Sequence, residues 1–314
     1  MLKYLLGIDR GTTNVKAILF DFEGNQIKKS SRPSGEISHP YPGWSEQDMN
    51  TIWARTCEAI RGLFDDQFKA EEVAAIGLSG QGNGIFTIDE HGEPVRPGIL
   101  SVDTRTKEII ALLKRDGSID NAVSLLQFPI GENGPLGMLR WLKENEYDNY
   151  KRINKFFFSK DWIKYKLTGQ VSTDQSDAGG AGLINNYTGK CPEEVYDCLG
   201  ISECKTKKPP VVPTWEISGR VTKKAAQETG LLEGTPVVSG AHDIAACSFG
   251  AGGIEEGHLT MIVGTWGLNL AVLNQIPEFD GNSMVFQHAI PHRWLACSGD
   301  GNSGSSLQWF IDTF

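Results

Sequence analysis

The segment Gly7-Ile8-Asp9-Arg10-Gly11-Thr12-Thr13-Asn14-Val15-Lys16 governs how the rest of the chain is read. Tyr4 to Ile8 and Val15 to Asp21 are short apolar runs, so the segment predicts two strands joined by a Gly-Thr-Thr turn. A third strand, Gln26 to Ser30, follows the Glu23-Gly24-Asn25 turn. Between the first two strands, backbone N–H groups and two hydroxyls can wrap an anion while the Asp9 carboxylate holds a hydrated cation. Lys16 adds a positive charge on the approach. Magnesium phosphate suits such a turn, and an ordinary glycine-containing hairpin has the same pattern. It is neither a Walker loop, because no Gly-Lys-Ser/Thr follows, nor a Gly-x-Gly-x-x-Gly dinucleotide turn.

Beyond the hairpin, strand and helix signals alternate. Asn50 is a candidate N-cap for a helix whose apolar face carries Ile52, Trp53, Cys57, Ile60 and Phe64. Val73 to Leu78 predicts a buried strand that opens into Ser79-Gly80-Gln81-Gly82-Asn83-Gly84, the composition of a binding loop. From about Asp103 to Gly200 the chain is more helical, with helices expected at Thr104 to Lys114, Pro135 to Glu144 and Lys160 to Leu167, and this stretch is expected to form an inserted or appended cap. After a Lys-Pro connector at Lys205 to Pro210, a helix is predicted at Thr222 to Thr229, a strand at Pro236 to Ser239, and a short helix at Asp243 to Phe249. Leu259 to Val263 and Leu268 to Leu273 predict a hairpin around Gly264-Thr265-Trp266-Gly267, an echo of the first turn that suggests two related lobes.

The 314 residues suffice for two domains, and 39% hydrophobic content fills a sizeable core. A formal charge of −9 without long Lys/Arg blocks disfavours nucleic acid and anionic membrane as partners. No apolar run approaches a membrane span, and the start lacks a signal-peptide cleavage pattern. Six cysteines without a Cys-x-x-Cys pair indicate neither a disulfide framework nor a zinc site, so reduced thiols in a cytoplasm are the expectation.

Asp243 follows a strand and the tight Ser239-Gly240-Ala241-His242 turn. It can be a helix cap, or a carboxylate that accepts a proton from an attacking hydroxyl. His242 is read as a local polar contact or a substrate contact. Gly264 and Thr265 offer a second set of backbone donors. Gln81, Asn83, Asp103 and Arg105 supply the amide and charged groups that hydroxyl-rich ligands need, and Trp44 reads as a packing aromatic before a sugar-facing one.

Together these pieces resemble the FGGY carbohydrate kinases along essentially the whole chain. The resemblance rests on Gly7 to Thr13 with Lys16, Gly43 to Asp48, Ile76 to Gln81, Arg96 to Leu100 with Asp103 and Arg105, Lys160-Asp161 with Leu167-Thr168-Gly169, Thr173-Asp174 with Ser176-Asp177-Ala178, and Gly240 to Asp243 leading to Gly264-Thr265. It implies an α/β, actin-like (ribonuclease H-like) ATPase fold, a mixed sheet flanked by helices, with residues 1–253 as the sugar-binding lobe and 254–314 as the start of a truncated nucleotide-binding lobe. It further implies ATP and Mg²⁺ as cofactors: Asp9 at the metal, Gly11, Thr12, Thr13, Lys16, Gly264 and Thr265 at the phosphates, Asp243 as general base, and Gln81, Gly82, Asn83, Asp103 and His242 at the sugar. Met138 stands where Lys is usual, Ser101 where many members have Trp, and Gly82-Asn83 where D-xylulose kinases have Met-His. The Ser101 variant and the Gly264-Thr265-Trp266 turn look closer to L-xylulose and related ketose or polyol kinases. The rival expectations are a sugar-binding module of the same fold without catalysis, and an actin- or chaperone-like ATPase. The sequence leaves a homodimer open.

Overall fold

The computed structural model describes residues 1–263, 267–300 and 303–314. Tyr4–Arg10 and Asn14–Phe20 pair antiparallel with Asp9 opposite Lys16, and Gln26–Pro33 continues the meander. Alternation assigns the faces: Leu6, Ile8 and Arg10 are buried, which places Asp9 on the other side of its strand.

Four further strands complete a seven-stranded mixed sheet. Val73–Gly80 lies parallel to Tyr4–Arg10, Pro236–Val238 lies parallel to Val73–Gly80, and Ile217–Arg220 closes the edge antiparallel. Ala241–His242 pairs with the end of Val73–Gly80. Register then does the positioning. Asp9 and Ala241 both lie opposite Ser79, and Arg10 and His242 both lie opposite Gly80, so the carboxyl ends of three parallel segments meet. Ligands of open α/β sheets bind at such ends.

Two apolar cores flank this line. The first joins the sheet to the helices Met49–Arg61, Ser159–Thr168 and Lys223–Thr229 through residues such as Ile8, Ile52, Leu78, Trp162 and Ala225. The first of these helices starts slightly earlier than the Asn50 cap predicts, because Asp48 accepts the Thr51 N–H at 2.6 Å. The second core joins the helices Lys107–Arg115, Ser118–Leu126 and Pro135–Asn145 to Leu270, Val272, Phe286 and Leu295. Those four residues belong to an antiparallel sheet ordered Leu259–Val263, Gly267–Leu273, Trp294–Asp300, Met284–Gln287. The expected cap is therefore not a separate body: its apolar face is completed by the later sheet. The hairpin predicted at Leu259 to Leu273 forms, while its turn, with Gly264 and Thr265, lies outside the described residues. Among the described residues no helix is long and apolar enough to cross a membrane.

Candidate active site

A cleft of about 850 Å³ opens where the parallel strands end, between the two cores. Asp9, Gly11, Thr12 and Ser79 form one wall; Gln81, Gly82, Asn83, Ser101, Val102 and Asn133 form the next; His242, Asp243, Ile244 and Cys247 come from the last strand and helix; Ile262, Leu268, Met284 and Phe286 face them from the four-stranded sheet.

The hairpin turn is closed by the Gly11 N–H, which donates to the Asn14 carbonyl at 3.0 Å. Asp9 Oδ1 accepts from Ser79 Oγ at 2.9 Å, and Oδ2 lies 3.4 Å from Lys16 Nζ. Thr12 Oγ1 donates to Gln81 Oε1, tying the turn to the neighbouring loop. Thr13 is exposed, and neither it nor Lys16 lines the cleft. Lys16 reaches the site only through Asp9.

Gly240 makes the approach to Asp243 possible: its φ is +83°, and a Cβ there would collide with the Leu78 carbonyl. His242 ends the strand and Asp243 begins the helix Asp243–Gly250. Asp243 Oδ1 accepts the Ile244 N–H at 2.7 Å and lies 3.3 Å from His242 Nε2. Desolvation in the cleft raises the Asp243 carboxyl above the ordinary aspartate value, against the opposing pull of His242, the Ile244 N–H and Arg10. The result is a carboxylate more basic than a free one. His242 is buried, which lowers its pKa and keeps the ring neutral at pH 7, and its Nδ1 has no hydrogen-bond partner among the described residues.

The loop after Val73–Gly80 is fixed through its backbone. The Gln81 N–H donates to the Arg10 carbonyl at 3.2 Å, and Ser159 Oγ donates to the Gln81 carbonyl at 3.2 Å. Gln81 Nε2 is buried in the cleft wall without a partner among the described residues. Asn83 adopts a left-handed φ of 58°, followed by Gly84 at 70°.

Asp103 does not join these residues. Its carboxylate accepts the Ser45 N–H at 2.6 Å, the Arg105 N–H and Nε–H at 2.9 Å, and Arg105 Nη2 at 2.8 Å. All four bonds are internal and the side chain is fully buried, so the sugar contact expected of Asp103 is replaced by a structural one. Arg105 also meets Glu46, and its guanidinium lies 3.8 Å from the centroid of Trp44 and 5.0 Å from that of Trp141. Trp44 is thus a packing residue, as its position before a helix predicts.

A buried charge cluster escaped the sequence reading, although Lys160, Asp161, Asp174 and Asp177 all lie in segments it quoted. Lys160 Nζ is 2.8 Å from Asp161, 2.6 Å from Asp174 and 2.6 Å from Asp177, and Lys164 Nζ is 2.9 Å from Asp161, with no side chain in the set exposed. The available signal was charge on the inward face of a helix, Ser159–Thr168, whose neighbours Trp162 and Ile163 are core residues. Cys247, Met284 and Phe286 line the cleft without any motif to announce them.

Among the described residues no cluster of three or more His, Cys, Asp or Glu side chains is arranged to hold a metal by itself. One half-exposed carboxylate, Asp9, beside an anion-wrapping turn suits a Mg²⁺ ion that brings phosphate ligands of its own.

Residues 4–250 match the N-terminal domain of the FGGY family of carbohydrate kinases. The chain belongs to that family. It is 32% identical to the L-xylulose/3-keto-L-gulonate kinase of Escherichia coli strain K12, over 99% of this chain and 62% of that protein. It is also 32% identical to the xylulose kinase of Staphylococcus xylosus, over 98% of this chain and 63% of that one. The crystal structure of xylulose kinase from Rhodospirillum rubrum superimposes with a TM-score of 0.90 at 25% identity, over 98% of this chain and 62% of that one. The fold is the actin-like ATPase fold of these kinases, and the chain spans less than two thirds of each relative's length.

Proposed function

We propose that this protein transfers the γ-phosphoryl group of ATP to a primary hydroxyl of a small sugar or polyol, a ketopentose of the xylulose or L-xylulose type before others. The observation that carries the proposal is the placement of the Asp243 carboxylate across one cleft from the Asp9-Gly11-Thr12 turn. Asp243 takes the proton of the sugar hydroxyl; that oxygen bonds to the γ-phosphorus, the bond to the β–γ bridging oxygen breaks, and the electron pair leaves on ADP. Thr12 and the backbone of the turn hold phosphate oxygens, with Gly264 and Thr265 as the second phosphate loop. When bound at Asp9, Mg²⁺ supplies charge neutralisation on the phosphates. The unpartnered Gln81 Nε2, with Gly82, Asn83 and His242, forms the sugar side of the cleft. The names of the relatives support the ketopentose class.

The test pairs calorimetry with ADP release across pentuloses, polyols and aldonates. Asp243→Asn is expected to keep sugar binding and lose about 10² to 10⁴ in turnover. Near-normal turnover in that variant removes Asp243 from the role. Sugar binding without ADP formation in the unaltered protein identifies a binding module, and ATP hydrolysis indifferent to every sugar identifies an ATPase.

A further inference from the structure

His242 sits beside the proposed base, and its hydrogen-bonding options are unusually restricted. Its Nε2 faces Asp243 Oδ1 at 3.3 Å. Gly82 closes the same edge of the ring, where an added Cβ would collide with Nε2. Among the described residues Nδ1 faces no acceptor, and it lies against Gly180, where a Cβ would come within 3.1 Å. A proton on Nδ1 would be a buried, unpaired N–H and would leave the Nε2 lone pair beside the Asp243 carboxylate. The ring therefore carries its proton on Nε2.

We infer that His242 is a positioning residue for Asp243: its Nε2–H and the Ile244 N–H hold Oδ1, which leaves Oδ2 as the oxygen that takes the substrate proton. This inference rests on the reading of Asp243 as general base. Oδ1 accepts the Ile244 N–H at 2.7 Å, and His242 Nε2 lies 3.3 Å from the same oxygen. The His242 backbone is itself anchored. The His242 N–H donates to Ser176 Oγ at 2.9 Å, the Ser176 N–H donates to Asp174 Oδ1 at 2.8 Å, and Asp174 pairs with Lys160 at 2.6 Å. The Phe286 ring, with its centroid 5.9 Å away, packs against the other side of the imidazole. The charged groups acting on His242 are Asp243, Asp174 and Lys160, and those acting on Asp243 are His242, Asp9 and Arg10. Burial keeps a second proton off the ring, so it donates to Asp243 without competing for the substrate's proton.

The experiment compares the unaltered protein with His242→Gln, which keeps a donor, and His242→Phe, which does not. Long-range ¹H–¹⁵N correlation is expected to show the Nε2–H tautomer in the unaltered protein. Carbon-detected titration of the Asp243 carboxyl is expected to show about tenfold tighter proton binding in His242→Phe and little change in His242→Gln. In turnover, His242→Phe should lower kcat and shift the acid limb of kcat/KM to higher pH, with the sugar KM within about threefold, while His242→Gln restores both. An Nδ1–H tautomer, an Asp243 titration unmoved by His242→Phe, or a raised sugar KM at unchanged kcat overturns the inference. The two magnetic-resonance measurements need no turnover, so they remain decisive if Asp243→Asn shows that Asp243 is not the base. If His242→Phe does not fold, the tautomer and the His242→Gln titration decide.

Discussion

Replacing Lys160 with Met tests whether the buried cluster is held together by charge. Methionine keeps the stem that packs under Gly80, where a Cβ would lie 3.0 Å from Lys160 Cβ, and removes only the ammonium. Two cations and three carboxylates become one cation and three carboxylates, none of them exposed. Removing one partner of a buried ion pair costs about 3–5 kcal/mol. At about 2–4 °C per kcal/mol for a domain of this size class, Tm should fall by about 6–20 °C. The sign with pH follows from the individual groups. Asp177 is raised well above the ordinary aspartate value, first by burial and then by Asp174 and Asp161, so it favours the fold at low pH and loses that contribution as pH rises through its folded value. Asp161, despite burial, is held low by Lys160 and Lys164, so its stabilisation is present above the unfolded value and lost on acidification. Without Lys160, Asp161 loses its main source of stabilisation and Asp177 is pushed further up, so the deficit is largest near pH 7 and narrows toward pH 5. Urea unfolding at both values, followed by tryptophan fluorescence with Trp162 buried on the same helix, reads this directly. Adding Asp177→Asn should recover about half of the loss by removing one stranded carboxylate. A deficit below about 1 kcal/mol at pH 7, or one that widens on acidification, refutes the reasoning.

Gly82→Ala should weaken sugar binding by about tenfold or more in calorimetry, because the loop has to move away from His242 and Asp177 at an overpacking cost of about 1–3 kcal/mol; unchanged affinity would show that the loop has room. Arg105→Lys should lower stability in thermal unfolding by about 1.5–3 kcal/mol, since lysine keeps the charge but loses the planar contact with Trp44 and the fork onto Asp103 and Glu46. An unchanged Tm would show that charge alone suffices. In the pH profile of kcat/KM, the acid limb should lie above the 3.8 of an ordinary aspartate, with activity rising as Asp243 loses its proton, and should vanish in Asp243→Asn. A limb at or below 3.8 contradicts the desolvated base.

The hairpin, the strand that ends in Ser79-Gly80 and the strand-to-helix turn at Asp243 were legible because each depends on local chemistry. Alternating burial sets the strands, glycines at Gly240 and Gly84 permit tight turns, and a short apolar helix follows Asp243. What was not legible depended on partners distant in sequence. Asp103 has the chemistry of a sugar contact, yet Ser45 and Arg105 use every lone pair it offers. Lys160 and Asp177 look like surface charges until three segments fold over them. The expected cap could not be recognised as half of a shared core, because the residues that complete it, from Leu270 to Leu295, come about seventy positions after its expected end at Gly200.

The loop at 82–84 bears on how the choice of sugar can be redesigned. Gly82 has no space for a side chain, Asn83 occupies a left-handed conformation that few residues tolerate, and a Cβ on Gly84 would strike the Ile99 carbonyl. Gly82 and Asn83, which line the cleft, and Gly84 next to them are thus closed to most substitutions for steric and conformational reasons. The facing wall, from the four-stranded sheet, carries no such constraint: Ile262, Leu268 and Met284 have no left-handed backbone angle, and Met284 has a flexible side chain. A library that aims to change the accepted sugar should diversify that wall and leave the loop untouched. In this scaffold, the cleft residues closed to substitution and those free to change are on different sides of the cleft.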